Sequence, residues 1–494
     1  MRIDDLMTES GVKFGTSGAR GLAEDMTDRV CYAYTAGFLR YLVEVGASRT
    51  GADLAMAGDL RPSTGRILAA CARAALDLGF RPRYFGPIPT PAVAAFGIAN
   101  GIPSLMVTGS HIPDDRNGIK FNRPSGEILK ADEAGIRAQV VALPAGLFTS
   151  SGAFVAGTPS SLPEEETQAY DAYVARYLGF FPRGCLDGLR VAVYEHSSVA
   201  RRAYGDVLAG FGARVTRLGF SERFIPVDTE AIRPEDVALA RDWAADGAFD
   251  ALVSADGDGD RPLVADERGE WLRGDIAGIL CARALGARGV VTPVSSNTAV
   301  ERCGCFEQVL RTRIGSPFVI EGMQRLSAAG VTPVVGYEAN GGFLLDSPIE
   351  RGGRTLAALP TRDALVVAVA ILAEAREQGR PVSALASDLP RRFTHSDRIQ
   401  AFPTEISQAR IAALTRGDPK QDRAAAQAVF GDWFGPVAGL DTTDGLRITF
   451  ESGEIAHLRP SGNAPELRAY TEAETPERAV EMNAICMRIL AGWR

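Results

Sequence analysis

Three aspartates alternate with glycine in the stretch SADGDGDRPLV, and this spacing is the clearest chemical feature of the chain. Asp256, Asp258 and Asp260 follow an apolar, strand-like run, so one short loop brings their carboxylates together. Oxygen ligands at this spacing can surround one hard cation such as Mg²⁺, whereas crowded carboxylates without a cation repel one another. A polar turn seldom needs three aspartates in register. We therefore predict a metal site here.

A calcium-binding EF-hand is the main competing interpretation, because Glu267 falls at the twelfth position of a loop that begins at Asp256. The sixth position of that loop requires glycine, and here it is Arg261 followed by Pro262. An apolar strand also precedes the loop where an EF-hand has a helix. The sequence thus favours a divalent cation site of another kind.

A serine and a histidine stand side by side in the stretch VTGSHIPDDRNGIKF, which covers residues 107–121. Turns need Gly, Pro or Asn for their backbone angles, but they need neither the Ser110–His111 pair nor the lysine that follows at Lys120. The preceding run SLMV predicts a strand, and the ligands of α/β sheets gather at the carboxyl ends of strands. The pattern leaves open whether this loop only connects two strands or reacts.

Two other loops carry groups that suit phosphate. The glycine-rich stretch KFGTSGARG contains Arg20, but it lacks the GK[ST] ending of a nucleotide-binding P-loop. The stretch HLRPSGNAPELRAY contains Arg459, whose guanidinium matches phosphate oxygens, together with Ser461, Asn463 and the backbone amides around Gly462. Taken alone, this second string is more typical of an ordinary surface loop.

A further loop, VVGYEANGGFLL, offers one carboxylate and one amide between two apolar runs. Glu338 and Asn340 suit the vicinal hydroxyls of a sugar, although Asn-Gly-Gly is at least as typical of a hairpin turn. Asp59 and Arg61 form a fainter pattern that fits either a phosphate contact or a surface ion pair. Neither pattern decides a function alone.

Composition and the order of elements limit what these loops can belong to. The chain has 494 residues, too many for one core, so we expect roughly three or four domains. Strand-like and helix-like patterns alternate, which predicts α/β domains. The net charge of −8 argues against nucleic-acid binding, and no apolar run approaches the roughly 20 residues that span a bilayer. With no apolar signal segment and seven cysteines without a zinc pattern, we expect a cytoplasmic protein with free thiols.

Shifts in composition predict the domain limits. A stretch rich in Ser, Gly and Pro at 150–166 separates the first two domains, a new strand–helix cycle begins near Trp271, and the composition changes again at 391–397. We predict three related α/β domains over 1–155, 165–268 and 269–388, and a smaller α+β domain over 390–494.

Taken together and in this order, FGTSGARG, TGSHIPDDRNGIKF, DGDGDR, GYEANGG and RPSGNAP closely resemble the α-D-phosphohexomutases, the superfamily of phosphomannomutase and phosphoglucomutase. The resemblance covers almost the whole chain. It implies four domains around a central cleft, of which the smaller last domain grips phosphate.

The resemblance implies roles for the positions that match. Ser110 matches the serine that carries a phosphoryl group. Asp256, Asp258 and Asp260 match the Mg²⁺ ligands, and an oxygen of the phosphorylated Ser110 completes the metal site. Lys120 matches a basic residue beside the reacting hydroxyl and is the candidate general acid or base, a role as base that requires a lowered pKa.

The remaining matches surround the substrate. Arg20 and Arg261 match basic residues of the reacting cleft, and His111 has a supporting role in the serine loop. Glu338 matches the carboxylate that grips sugar hydroxyls, and Asn340 stands where the family usually has serine. The loop for the non-reacting phosphate is matched by Arg459, Ser461, Gly462 and Asn463.

The implied activity is the Mg²⁺-dependent interconversion of hexose 1-phosphate and hexose 6-phosphate through a hexose 1,6-bisphosphate, with mannose phosphate as the expected substrate. Glucose and glucosamine phosphates are alternatives, and a sugar-phosphate binding protein that has lost catalysis is the alternative from another class. Four departures from the family pattern motivate these alternatives. TGSHIP has Gly109 and Ile112 where many members read TASHNP, and the sugar loop ends in Gly342 where histidine is usual. Ser316 stands where some relatives have histidine, and the phosphate loop has Asn463-Ala464 where Thr-Glu is common.

Overall fold

The computed structural model describes residues 1–15, 18–461 and 465–494. The first domain is built on a seven-stranded sheet with the order β1-β2-β6-β5-β3-β4, and β7 pairs with β6. Its elements are α1 (Ile3–Ser10), β1 (Lys13–Phe14), β2 (Gly18–Leu22), α2 (Asp28–Glu44), β3 (Asp53–Gly58), α3 (Thr64–Asp77), β4 (Arg81–Tyr84), α4 (Thr90–Asn100), β5 (Ser104–Val107), β6 (Arg116–Arg123), β7 (Gly126–Glu127) and α5 (Lys130–Ala138).

The second and third domains each contain a four-stranded sheet. The second comprises α6 (Gln168–Phe180), β8 (Arg190–His196), α7 (Arg201–Gly210), β9 (Arg214–Phe220), α8 (Pro234–Ala244), β10 (Ala251–Ala255) and β11 (Pro262–Ala265). The third comprises α9 (Gly274–Leu285), β12 (Gly289–Pro293), α10 (Ala299–Arg302), β13 (Gln308–Thr312), α11 (Ser316–Ala328), β14 (Val334–Tyr337), β15 (Phe343–Leu345), β16 (Ile349–Arg351), β17 (Arg354–Leu356), α12 (Ala364–Gln378) and α13 (Val382–Ser387).

These three sheets share one arrangement, in which three parallel strands are followed at one side by an antiparallel strand. The sets are β4-β3-β5 with β6, β9-β8-β10 with β11, and β13-β12-β14 with β15. The central parallel strands β5, β10 and β14 are buried over their whole length, as expected for strands covered on both faces. The turn after each of them carries one of the loops that the sequence singled out.

The C-terminal domain is different, because its five-stranded sheet is antiparallel throughout, with the order β18-β22-β21-β20-β19. Its elements are β18 (Phe393–Ile399), α14 (Thr404–Leu414), α15 (Pro419–Phe434), β19 (Val437–Asp441), β20 (Leu446–Phe450), β21 (Ile455–Pro460), β22 (Leu467–Ala473) and α16 (Pro476–Ala491). Its strands alternate between core and surface, as in LRITF of β20.

One large apolar core extends through the first three domains, from Ala55 to Leu389, whereas the C-terminal domain has its own core between Phe402 and Trp493. Because the first three domains share this core, burial does not test the domain limits that we predicted from composition. Those domain limits stay a prediction. All seven cysteines are free thiols. Within the part of the chain that is described, no helix is both long and apolar enough to cross a membrane.

Candidate active site

Ser110 lies in the turn between β5 and β6, with its side chain buried. Its φ of +57° is a backbone conformation that few residues other than glycine adopt. The turn is held locally, because the Ser110 amide donates a hydrogen bond of 2.7 Å to Thr108 Oγ1. Unusual backbone angles of this kind persist only when the surroundings enforce them, and they are concentrated at functional sites.

Arg61 supplies most of that enforcement. Its Nε donates to Asp59 Oδ2 at 2.9 Å, and both side chains are fully buried. Its terminal nitrogens donate to four carbonyl oxygens of the turn, those of Ser110 (2.8 Å), Ile112 (2.6 Å), Pro113 (2.6 Å) and Arg116 (3.0 Å). The surface ion pair considered for Asp59 and Arg61 is therefore wrong, and the pair instead positions the serine turn.

The three aspartates occupy the corresponding turn of the second domain, between β10 and β11. One carboxylate oxygen from each of Asp256, Asp258 and Asp260 lies within 4.8 Å of the others, and all three residues are buried. Ser110 Oγ donates a hydrogen bond of 2.5 Å to Asp256 Oδ2. The packing of the first two domains therefore brings the serine onto the acidic cluster, although the two are far apart in sequence.

The donor set fits a divalent cation. Asp258 Oδ1 and Asp260 Oδ1 are buried and accept no hydrogen bond from any described residue. Burial and the two neighbouring carboxylates raise the pKa of Asp256 well above its usual range. A cation bound among these oxygens offsets that repulsion and satisfies the unpaired oxygens.

The EF-hand interpretation fails on geometry. The acidic turn connects two antiparallel strands, β10 and β11, and no helix flanks it on either side in the manner of an EF-hand. Glu267 accepts hydrogen bonds from the amide and hydroxyl of Ser383 and does not join the acidic cluster.

Four cationic side chains line a pocket together with Ser110. They are Arg20, Lys120, Arg261 and Arg362. Lys120 Nζ lies 2.5 Å from both Asp258 Oδ2 and Asp260 Oδ2, so burial, which lowers the pKa of Lys120, is outweighed by these two carboxylates, which raise it. Burial and nearby guanidinium groups lower the pKa of Arg20 to about 10, so it remains charged at neutral pH.

His111 is a neutral hydrogen-bond acceptor in this cluster. Arg261 Nη1 donates to His111 Nδ1 at 2.7 Å, and His111 Nδ1 lies 3.3 Å from Ser110 Oγ. Burial and the Arg261 charge lower the pKa of His111 to about 3. An imidazole whose Nδ1 is engaged by a guanidinium fits the supporting role expected for it.

Glu338 occupies the third corresponding turn, between β14 and β15. It is buried, and Arg362 Nη1 donates to its Oε2 at 3.1 Å. Asn340 also belongs to this turn, and its Oδ1 accepts a hydrogen bond of 2.9 Å from the Gly342 amide. The Asn340 side chain thus stabilises the hairpin turn, and its expected contact with sugar stays a prediction.

The phosphate loop follows β21 in the C-terminal domain. Arg459 Nε donates to Asp444 Oδ2 at 2.9 Å, and the Ile314 amide of the third domain donates to the same oxygen at 3.0 Å. Ser461 is buried, and its amide donates to the Glu466 carbonyl. Gly462 and Asn463 lie outside the described residues, as do Thr16 and Ser17 of the first glycine-rich loop.

The structure thus joins Ser110, His111, Lys120, Arg261 and the three aspartates in one cluster, with Arg20 in the same pocket and Glu338 linked to the cluster through Arg362. The hydrogen bond of Arg459 instead points to Asp444. Sequence reasoning missed Arg362 because it is a single arginine in the stretch ALPTRDAL, which matches no chemical motif. The only sequence signal for Arg61 was its spacing from Asp59.

Sequence models of the phosphoglucomutase/phosphomannomutase family match three parts of the chain. The model of alpha/beta/alpha domain I matches residues 11–144, that of alpha/beta/alpha domain III matches residues 273–393, and that of the C-terminal domain matches residues 411–488. These matches carry the serine loop, the sugar loop and the phosphate loop.

Whole-length relatives agree with these matches. The chain is 44% identical to a phosphomannomutase of Sinorhizobium fredii, over 97% of this chain and 99% of the relative. It is 42% identical to a phosphomannomutase of Salmonella muenchen, over 96% and 95%. A phosphoglucosamine mutase of Gluconacetobacter diazotrophicus is 30% identical over 95% of each chain.

A solved structure gives the same fold. A phosphoglucomutase/phosphomannomutase family protein from Burkholderia thailandensis superposes with a TM-score of 0.72, at 19% identity, over 97% of this chain and 96% of that one. The predicted fold class, α/β with a smaller C-terminal α+β domain, is confirmed by this likeness together with the sheets described above.

Proposed function

The chain belongs to the phosphoglucomutase/phosphomannomutase family and is a mutase, and on that premise we propose that it interconverts mannose 1-phosphate and mannose 6-phosphate. The proposed reaction uses a phosphorylated Ser110 and a hexose 1,6-bisphosphate intermediate. The proposed metal is Mg²⁺, bound by Asp256, Asp258 and Asp260.

One observation carries the proposal: Ser110 Oγ donates to Asp256 Oδ2 across the boundary between two domains, in a pocket lined by cations. A serine buried against carboxylates has no ordinary structural reason to face four positive side chains. A phosphoryl group on Ser110 explains the arrangement, because its oxygens need positive charge and a metal ion nearby. Phosphoryl transfer depends mainly on such positioning and charge neutralisation.

In the proposed step, the P–O bond to Ser110 Oγ breaks and a P–O bond to a sugar hydroxyl oxygen forms, while the hydroxyl proton leaves to a basic group of the site. Transfer of the other phosphate of the bisphosphate back to Ser110 completes the reaction. Asp256, Asp258 and Asp260 would hold the divalent cation, which would supply positive charge to offset that of the phosphoryl group. Arg20 and Arg261 add fixed positive charge to the same pocket, and Lys120, whose pKa is raised by Asp258 and Asp260, is the proposed general acid.

The other groups act on the sugar and on its second phosphate. Buried Glu338 offers carboxylate oxygens to the sugar hydroxyls, and Arg459 with Ser461 is proposed to hold the non-reacting phosphate. Arg459 donates a hydrogen bond to Asp444 through Nε. We propose that its terminal guanidinium nitrogens bind the non-reacting phosphate.

Mannose is preferred to the alternatives because both phosphomannomutase relatives are more than 40% identical, whereas the phosphoglucosamine mutase relative is 30% identical. Glucose and glucosamine phosphates remain the alternative substrates within the family. A binding protein without catalysis is less well supported, because the serine, the three aspartates and the cationic pocket are assembled in one place.

Intact-mass spectrometry combined with a turnover assay tests the proposal. We expect the purified protein to carry one phosphate, and we expect Ser110→Ala to lose both this phosphate and nearly all turnover of mannose 1-phosphate. Ser452→Ala is the matched control, because Ser452 is exposed and, among the described residues, its side chain bonds only to the nearby Glu454 amide. Full turnover in Ser110→Ala would refute the phosphoserine mechanism.

The same assay separates the alternatives. Turnover measured on mannose, glucose and glucosamine 1-phosphates, each with Mg²⁺ and after its removal by a chelator, ranks the substrates and tests the metal. A higher kcat/KM for glucosamine phosphate would overturn the choice of mannose. Binding of all three sugars without turnover would support the binding protein instead.

A further inference from the structure

Arg362 connects two loops of the active site that come from different domains. It lies in the segment between β17 and α12, and its side chain is 3% exposed. Its Nε donates to Asp260 Oδ2 at 3.2 Å, and its Nη1 donates to Glu338 Oε2 at 3.1 Å. One guanidinium group therefore links the acidic cluster of the second domain to the sugar loop of the third.

The path of this side chain depends on a glycine. A Cβ atom at Gly342 would lie 2.4 Å from Arg362 Cδ and 2.7 Å from Arg362 Cγ, well inside van der Waals contact. Any side chain at position 342 must therefore displace Arg362. The position of the Arg362 side chain in the site therefore depends on glycine at position 342, the last residue of the sugar loop.

The first domain also contributes to the environment of Arg362. Glu127 on β7 accepts hydrogen bonds of 2.8 Å from Ser316 Oγ and from Oγ1 of Thr361, the residue before Arg362. Burial alone would lower the pKa of Arg362, but Asp260, Glu127 and Glu338 raise it well above its ordinary value. Asp260 and Glu338 thus bind the guanidinium directly, and Glu127 of the first domain adds a third nearby negative charge.

These contacts leave one nitrogen of the Arg362 guanidinium without a described partner, in a residue that shares a pocket with Ser110. Arg362 lines the pocket that also contains Ser110 and Lys120, and its Nη2 donates to no described residue. A guanidinium that is held through Nε and Nη1 can donate from Nη2 to an anion without losing its position. The available anion in this pocket is the phosphoryl group that Ser110 is proposed to carry.

We propose that Arg362 is a further residue of the phosphoryl-transfer site, which orients Glu338 toward the sugar and donates from Nη2 to the phosphoryl group as it leaves Ser110. This inference rests on the proposed function. Removing one preorganised donor to a developing charge typically costs about 10²–10³ in rate. We expect Arg362→Met to lower the rate of transfer from phospho-Ser110 to the sugar by at least about 10²-fold.

The experiment measures single-turnover transfer from the isolated phosphoenzyme, steady-state kcat and KM, and thermal unfolding. Arg362→Lys keeps the charge but cannot supply two donors in a fixed fork, so we expect partial recovery of kcat and little recovery of KM. Arg380→Met is the matched control, because Arg380 forms an exposed ion pair with Asp388. We expect the control to match the wild type in all three measurements.

Orientation of Glu338 is tested by a double-mutant cycle. If Arg362 acts on the sugar through Glu338, then Glu338→Gln and Arg362→Met change KM non-additively, since the two residues share one interaction. Additive changes in KM would overturn the positioning role. An unchanged single-turnover rate in Arg362→Met would overturn the role in phosphoryl transfer.

Gly342→Ala provides a second variant in case Arg362→Met fails to fold. It keeps the charge in the protein but forces Arg362 away from its position, so we expect a comparable loss of the single-turnover rate. Normal transfer in Gly342→Ala would contradict the inference. Absence of phosphoenzyme and of turnover in the wild type would instead refute the proposed function, so the two failures are distinguishable.

Discussion

Replacing Gly109 with alanine tests whether Arg61 holds Ser110 in place. A Cβ atom at Gly109 would lie 2.5 Å from Arg61 Cζ and 2.8 Å from Arg61 Nε and Nη1. Movement of Arg61 costs hydrogen bonds, because its guanidinium donates to Asp59 and to four carbonyl oxygens of the serine turn. The new methyl group must therefore push either the guanidinium or the turn out of position.

The expected magnitude follows from that contact. Overpacking a buried site costs about 1–3 kcal/mol, and each hydrogen bond from a charged donor contributes about 1.5–3 kcal/mol. Loss of one such bond together with the overlap predicts a decrease of roughly 2.5–6 kcal/mol in the free energy of unfolding, or a decrease in Tm on the order of 10 °C. A displacement of Ser110 by about 1 Å predicts a loss of about 10²-fold in turnover.

Differential scanning calorimetry and the mannose 1-phosphate assay measure these two effects. Gly65→Ala is the matched control, because Gly65 is exposed on α3 and its Cβ would meet no atom within 4 Å. Alanine in a helix is favoured over glycine by roughly 0.5–1 kcal/mol, so the control is expected to be neutral or slightly stabilising.

This prediction opposes the one that family resemblance alone would make. Many members of the superfamily have alanine in TASHNP where this chain has Gly109, so by sequence likeness the substitution is harmless. If Gly109→Ala retained the stability and turnover of Gly65→Ala, the positioning role of Arg61 would be refuted. The contact between Gly109 and Arg61 would then be accommodated by small shifts that the serine tolerates.

Three other predictions concern the metal, the pH dependence of stability and a buried ion pair of the C-terminal domain. Asp258→Asn should lower Mg²⁺ affinity, measured by calorimetric titration, by more than the roughly 10–100-fold lost when a residue that only supports a metal ligand is mutated. The control Asp432→Asn, at an exposed position, should leave the affinity unchanged. Equal affinities in the two variants would contradict the metal assignment. Burial lowers the pKa of His457 from its ordinary value of 6.5 to about 4. Because the unfolded chain then binds a proton more readily, His457 destabilises the fold as pH falls from 6.5 toward 4, by about 2 kcal/mol at pH 5. The Tm of His457→Gln should therefore decrease less between pH 7 and pH 5 than that of the wild type, and identical decreases would contradict this effect of His457. Glu472→Gln removes the charge that pairs with the fully buried side chain of Arg392. Breaking such a pair costs about 3–5 kcal/mol, so calorimetry should show the C-terminal domain unfolding at a lower temperature. A single transition at the wild-type temperature would contradict a stabilising role for this ion pair.

Much of the site could be predicted from the sequence because its chemistry is local. Asp256, Asp258 and Asp260 sit on one turn, and the strand LV before them with Pro262 after them predicts that turn without tertiary information. Similarly, Ser110 and Lys120 are joined by a short hairpin, since β5 and β6 pair with Met106 opposite Lys120. The family and fold followed from the order of these motifs, and both are confirmed by the comparisons.

The roles of single residues outside motifs were decided only by the tertiary structure. Arg362 is 102 residues from Asp260, and the stretch around it contains nothing that distinguishes it from other arginines among the 53 basic residues. Asp59 and Arg61 have the same spacing whether they lie on the surface or, as here, with fully buried side chains. Burial and distance between remote segments depend on how whole sheets pack, and no local pattern encodes them.

The sequence by itself determined which groups are present and which short turns carry them, because residue type and spacing along a strand or turn are set by covalent geometry. Only the tertiary structure decided that the equivalent turns of the first three domains lie close together and that Ser110 bonds to Asp256. It also showed why positions 109 and 342 need glycine, since the side chains of Arg61 and Arg362 occupy the space that a Cβ atom would take. The physical reason is that these contacts come from the packing of separate domains on a shared core, where a single Cβ atom decides which side chain occupies the space.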